Sequence, residues 1–276
     1  MRERRMRERL LALVCLAVVA TGAVHAAAAQ CGNDENGFKA WLEDFKQVAI
    51  NDGVSPDVVD QALGVANFDP SVLSHDHGQG ALQGDYASFA ARHITPGRVK
   101  KGKQMLIAYA EPLERIESRF GVPGPVLVAI WGLETDFGVG LGRYPTFSAL
   151  ATLAYDCRRG NLYRAELIDA LMIVQRGLLS PQQMRGAWAG ELGQTQFMPS
   201  AYLKYGVSAN GGRGGDLIGN SADALASTAN FLHSKGWQAG AKWDEGQPNF
   251  AALLEWNSAP VYAKTIAEFA DRLAAP

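Results

Sequence analysis

Val128-Ala129-Ile130-Trp131-Gly132-Leu133-Glu134-Thr135-Asp136-Phe137-Gly138 is an apolar run that closes on an acid, and it reads as a buried helix. A carboxylate placed there loses its hydration, which raises its pKa and holds a proton near neutrality, the property a general acid needs. Asp136 follows two residues later, about 200° around a helix, so both acids cannot face one cleft unless the helix ends between them. Gly138, Gly140 and Gly142 make such an end plausible. Two readings of Glu134 fit these residues: an acid working in a cleft, or a buried Glu paired with an Arg.

Outward from this run, the chain reads as helix after helix. Phe38, Trp41, Leu42, Phe45, Val48 and Ala49 repeat with the spacing of a helix that buries one face. Ser55-Pro56 and Thr95-Pro96 are helix starts, because the hydroxyl caps free amides and proline tolerates the first helical position. Ser180-Pro181-Gln182-Gln183 has the same grammar, with Gln183 completing a capping box. Val99, Leu106, Tyr109, Leu113, Ile116 and Phe120 keep a near-helical period, and Pro112 marks a new helix or a kink. Tyr163, Leu167, Ala170, Leu171 and Val174 form another stripe, and a helix over Ser221 to Lys235 stops at Gly236. No stretch sustains a period of two, so the expected fold is mainly α with at most a small β-sheet. Asn210 to Gly215 is expected to be a surface loop. Of Trp131, Tyr144, Phe147, Trp188, Tyr202 and Trp237, most are expected in the core and about a third at a groove.

With 276 residues, 47% hydrophobic and 20% charged, the chain can bury a sizeable core in one large or two closely packed domains. A formal net charge of -2 gives no indication of nucleic acid. Arg2, Arg4, Arg5, Arg7 and Arg9 precede the apolar stretch Leu10 to Ala20 and an Ala-rich stretch to Ala29, the layout of a secretory signal. Its apolar core is short for a membrane span, so cleavage is expected rather than a stable membrane anchor. Residues 1–29 are then the signal peptide and 30–276 the mature chain. Cleavage removes Cys15 and leaves Cys31 and Cys157, for which one intramolecular disulfide is available in an oxidising compartment. Gln30 before Cys31 and Val14 before Cys15 do not suit lipid modification, and a free buried thiol at Cys157 is the competing reading.

A second segment, Ala187-Trp188-Ala189-Gly190-Glu191-Leu192-Gly193-Gln194-Thr195-Gln196-Phe197-Met198-Pro199-Ser200, carries a resemblance. Together with the Glu134 run it resembles the lytic murein transglycosylase B family, of the lysozyme-like superfamily. The likeness extends from Phe38 to the C-terminus, through Phe68 to Val72, Ile116 to Pro123, Ala149 to Leu153 and the element from Asn257 to Tyr262. It implies a lysozyme-like catalytic core with an additional helical lobe, the two closely packed within 30–276. It implies that Glu134 is the only catalytic carboxylate, cleaving the β-1,4 bond between N-acetylmuramic acid and N-acetylglucosamine to leave a 1,6-anhydromuramic acid end. The implied partner is the peptidoglycan glycan strand, and the implied place is the periplasm.

By the same resemblance Gln196 lines the cleft, Asn257 and Tyr262 stand near Glu134, and Arg158 and Arg159 flank the cleft to bind lactyl or peptide carboxylates. Asp136 is expected to point elsewhere and is the only rival second carboxylate considered. Two departures stand out: Ala187 replaces a serine that contacts the substrate acetamido group, and Ala259 replaces a small polar residue. Some relatives carry a calcium loop where this chain has Ser208, Asn210, Gly212, Gly214, Asp216 and Asp223; too few carboxylates are present, so no cofactor and no calcium is expected. His75-Asp76-His77 is expected to be a solvated loop rather than a metal site. Two other functions remain open to this sequence: a lysozyme-like muramidase that uses water, and a non-catalytic peptidoglycan-binding protein.

Overall fold

A computed structural model describes residues 30–78, 85–212 and 214–276, so the expected signal segment lies outside the described residues. In chain order the helices are α1 (Glu35–Asn51), α2 (Pro56–Leu63), α3 (Pro70–His77), α4 (Tyr86–His93), α5 (Pro96–Ala108), α6 (Ala110–Phe120) and α7 (Gly124–Thr135). They continue as α8 (Thr146–Tyr155), α9 (Gly160–Gln175), α10 (Pro199–Tyr205), α11 (Ser221–Ser234), α12 (Phe250–Trp256) and α13 (Pro260–Ala274). Between them, β1 (Tyr144–Pro145) and β2 (Arg185–Gly186) pair antiparallel, Tyr144 opposite Gly186. The mainly α expectation holds, small sheet included.

Local chemistry sets the helix ends. Ser55 Oγ accepts from the Val58 amide at 3.4 Å, Thr95 Oγ1 from Arg98 at 3.2 Å and Asn220 Oδ1 from Ala222 at 3.0 Å, each filling an amide that the first turn leaves unpaired. The long stripe through Pro112 divides at Tyr109, which leaves Pro112 in the first turn of α6, where its missing N–H costs no helical bond. Two details depart from the sequence reading. No helix follows Ser180: its amide does donate to Gln183 Oε1 at 2.9 Å, but Met184 is buried and its carbonyl takes the Thr146 amide at 3.0 Å, drawing the chain into the sheet. Val48 is 45% exposed, because α1 turns Phe38, Trp41, Leu42, Phe45 and Ala49 inward and leaves Val48 on the rim.

Two hydrophobic clusters form. One gathers Phe38, Trp41 and Phe45 of α1 with Leu150 and Leu153 of α8, Leu167 and Leu171 of α9, and Tyr202. The other gathers Leu113, Ile116, Leu127, Ile130, Trp131, Leu225 and Phe269 from α6, α7, α11 and α13. Fully burying each such aliphatic or Phe side chain contributes about 1.5–3 kcal/mol. Phe231 and Trp256 pack against both clusters and therefore mark the seam between them.

Cys31 and Cys157 are disulfide-bonded across a sequence separation of 126, and the Gly32 amide donates to the Tyr155 carbonyl beside them at 3.0 Å. His75-Asp76-His77 is not a loop but the end of α3, with Asp76 buried. Near the glycine-rich loop, Asp223 accepts from the Ala209 and Asp216 amides at 2.8 and 3.0 Å, and Asp216 from Ile218 and Gly219 at 3.0 and 2.8 Å. Protein amides thus take both oxygens of Asp223 and one of Asp216, and the neighbouring Ser208, Asn210, Gly212 and Gly214 add no carboxylate, a donor set poor for calcium. Among the described residues no helix is long and apolar enough to cross a membrane.

Candidate active site

The buried helix α7 stops where its acid is needed. Asp136, Phe137 and Gly138 follow Thr135 with φ of 50°, 61° and 82°, three successive left-handed residues that reverse the chain. Two of them are not glycine, so neighbours must hold the turn against its strain. Lys101 Nζ donates to the Asp136 carbonyl at 3.0 Å and to its carboxylate at 3.1 Å, while Arg98 Nε lies 3.4 Å from the same carboxylate. Phe137 packs edge-on against Trp131, with ring centroids 5.7 Å apart. Thr135 Oγ1 accepts the Gly138 amide at 3.0 Å and donates to the Gln194 carbonyl at 2.5 Å, tying the helix end to the 187–197 loop. Asp136 is therefore spent on α5 and faces away from Glu134. Burial alone would raise its pKa, but Lys101 and Arg98 bring it below the ordinary value.

Glu134, in the last turn, opens into a cavity of about 430 Å³ lined also by Ala187, Glu191, Gln196, Phe197, Met198, Phe231, Trp256 and Asn257. Its Oε1 accepts from Trp256 Nε1 at 3.0 Å and from the Tyr262 hydroxyl at 2.9 Å. Burial pushes its pKa up to about 7; the two donors oppose the shift and the Glu191 charge adds to it. Tyr262 is pushed well above its usual value, by burial first and then by Glu134, so it stays a phenol and a donor. This is the reading of Glu134 as a cleft acid; no Arg pairs with it among the described residues.

Gln196 reaches the cavity with φ of 53°, its amide donating to the Gly193 and Leu141 carbonyls at 2.7 and 3.3 Å. Those bonds leave its side-chain oxygen unused. Asn257 ends α12, accepts the Ala259 amide at 3.0 Å and lines the cavity. Arg158 and Arg159 are elsewhere. Arg158 Nε donates to Asp76 Oδ2 at 2.9 Å, Arg159 contacts the other Asp76 oxygen, and both line a separate hollow beside the disulfide. A buried acid claims both guanidiniums, so their placement at the cleft for substrate carboxylates is corrected. Of the six scattered aromatics none lines the cavity; Phe197, Phe231 and Trp256 do.

Two residues escaped the sequence reading. Trp256 stands one position before Asn257, and its donor role needs a contact across 122 residues. Glu191, an acid among glycines and apolar residues in the 187–200 segment, lines the cavity where Asp136 does not, with the exposed Glu255 as a further carboxyl at its rim. Burial raises its pKa above the ordinary value, and its Oε2 is sealed from solvent without a hydrogen-bond partner.

The transglycosylase SLT domain family matches residues 37–247. The chain belongs to that family. Asn257 and Tyr262 lie beyond the matched residues. The chain is 33% identical over 158 residues to the membrane-bound lytic murein transglycosylase B of Escherichia coli (strain K12), covering 57% of this chain and 44% of that protein, so the alignment spans less than half of this relative's length. In structure it resembles Pseudomonas aeruginosa SltB3 in complex with NAG-anhNAM-pentapeptide, with a TM-score of 0.81, 29% identity, and 86% of this chain and 80% of that one covered. SltB3 in complex with NAG-NAM-pentapeptide gives 0.82 and 28% over 87% and 80%. The Escherichia coli lytic transglycosylase Slt35, in complex with bulgecin A, shares the fold at a TM-score of 0.77 and 24% identity, over 90% of this chain and 96% of that one.

Proposed function

We propose that this protein is an exported, periplasmic lytic transglycosylase that cleaves the β-1,4 bond between N-acetylmuramic acid and N-acetylglucosamine and leaves a 1,6-anhydromuramic acid end. The observation that carries the reading is the Glu134 carboxyl, poised at about 7 in a cavity with both donors on one oxygen. Because Oε1 already accepts two hydrogen bonds, the proton resides on Oε2. From there Glu134 protonates the bridging oxygen as the bond to C1 breaks. The resulting carboxylate is stabilised at Oε1 by Trp256 and Tyr262. It then takes the proton of the sugar's own C6 hydroxyl, whose oxygen bonds to C1. No water is consumed, and the internal nucleophile avoids much of the entropic cost of a second molecule. In this reading Gln196 and Asn257 hydrogen-bond the sugar, residues 1–29 form the export signal, and 30–276 form the catalytic domain in two closely packed lobes.

Digestion of purified sacculi by the protein, followed by mass spectrometry, is expected to yield anhydro-muropeptides. One observation favours a hydrolase instead: Glu191 supplies a second carboxyl in the cavity. A base for water must be ionised, however, and burial favours the neutral form of Glu191. Digestion in water enriched in heavy oxygen separates the two, since reducing muramic acid ends carrying the label would overturn the transglycosylase assignment.

A further inference from the structure

Glu191 is a half-buried acid that the proposed chemistry does not use. A tight turn places it: the Ala187 amide donates to the Glu191 carbonyl at 3.2 Å and the Gly190 amide to the Ala187 carbonyl at 3.3 Å. Ala187 and Glu191 thereby share one wall of the Glu134 cavity, where Phe197, Met198 and Phe231 add apolar surface. Oε2 of Glu191 has neither solvent nor partner. The Ala189 and Glu191 amides and the Arg159 charge favour an ionised carboxylate but are outweighed by burial, because ionisation would leave charge on the sealed, unpartnered Oε2; a proton removes that charge, leaves Oε2 as a carbonyl oxygen and makes Oε1 a donor. The wall therefore joins an acid group to an apolar surface, a combination that suits a planar carbonyl carrying a methyl better than it suits a bare hydroxyl.

We infer that Glu191 is a substrate-binding residue whose carboxyl, in its neutral acid form, donates a hydrogen bond to the 2-acetamido carbonyl of the sugar seated in the cavity; the inference rests on the reading above that an N-acetylated glycan enters there. The acetamido methyl then packs on the apolar wall, and Ala187 leaves room for the group to approach. Raising of the Glu191 pKa by burial agrees with this. A neutral buried carboxylic acid serving as a donor is a known device of enzyme sites.

The test uses the full mature chain carrying Glu134→Gln, so that binding is read without turnover, and titrates it calorimetrically with the β-1,4 tetramer of N-acetylglucosamine and with cellotetraose, which bears hydroxyls at C2. Adding Glu191→Ala should weaken binding of the N-acetylated tetramer about tenfold, the worth of one such bond, whereas Glu191→Gln, whose amide still donates, should stay close to the parent. Cellotetraose should bind weakly and be indifferent to residue 191. With Glu134 removed, affinity for the N-acetylated tetramer should fall as pH rises through the titration of Glu191, and the Glu191→Gln variant should be flat. The charged groups acting on that titration are Arg159 and Glu166; the exposed Glu255 at the cavity rim pairs with Lys235. Equal loss in both Glu191 variants, equal sensitivity for the two sugars, or no binding of either would overturn the inference. Wild-type digestion of sacculi runs alongside: its failure would sink the proposed function and leave the titration to judge Glu191.

Discussion

Replacing Glu134 by Gln keeps the shape of the side chain and an oxygen for Trp256 and Tyr262, and removes the ability to titrate. Burial lifts this carboxyl from an ordinary 4.5 to about 7. The folded state therefore binds the proton more tightly than the unfolded chain does. Stability from this group is fully present below 4.5 and is lost as pH rises through about 7. The difference corresponds to a ceiling of about 3 kcal/mol. For a domain of this size that is about 5–10 °C in melting temperature. Calorimetric melts of wild type and Glu134→Gln at pH 4 and pH 8 read it directly: the variant should gain on the wild type at the higher pH and match it at the lower. Its turnover of sacculi should fall by several orders of magnitude at both. A variant whose advantage is the same at the two pH values would refute a raised Glu134, and near-normal release of anhydro-muropeptides would refute its role.

Reducing the Cys31–Cys157 bond, which closes a separation of 126 residues, should lower stability by about 5 kcal/mol in denaturant titrations. Thiol labelling of the denatured, unreduced mature protein should find no free cysteine. Asp136→Asn should leave the anhydro product as the main species with a modest loss of rate, because Lys101 and Arg98 hold that carboxylate away from the cavity; loss of all turnover would restore it as a second acid. Tyr262→Phe removes one of the two donors to Glu134, so the alkaline limb of activity should move to higher pH and turnover should fall about tenfold, and a limb displaced downward would contradict the hydrogen bond's role.

What the sequence disclosed depended on range. Helix caps at Ser55 and Thr95, the division near Pro112 and the break beyond Glu134 are local, and each is decided by residues within one turn. Ser180 shows the limit of local grammar: its half-formed capping box survives, yet the pull of buried Met184 into the sheet decides the outcome. The arginine pair failed for a related reason. Asp76, 82 residues before Arg158, claims both guanidiniums, and nothing within reach of the pair in the sequence announces that partner. Glu191 was legible. Like Glu134, it is an acid set among glycines and apolar residues, whereas Asp136 is only a neighbour of Glu134 in sequence.

The arrangement at the seam explains why one cavity can hold two half-buried carboxyls. Phe231 and Trp256 pack against both hydrophobic clusters and line the cavity that Glu134 and Glu191 share, so apolar surface around the two acids screens little. A charge on Glu191 raises the affinity of Glu134 for its proton, which would oppose the transfer that starts cleavage. The two acids are nevertheless treated differently by their surroundings. Glu134 has two side-chain donors on Oε1 for the charge it acquires, whereas at Glu191 burial outweighs the Ala189 and Glu191 amides and one oxygen stays sealed without a partner. The negative charge of the working site therefore falls to Glu134, and Glu191 serves the first step best by remaining neutral through it.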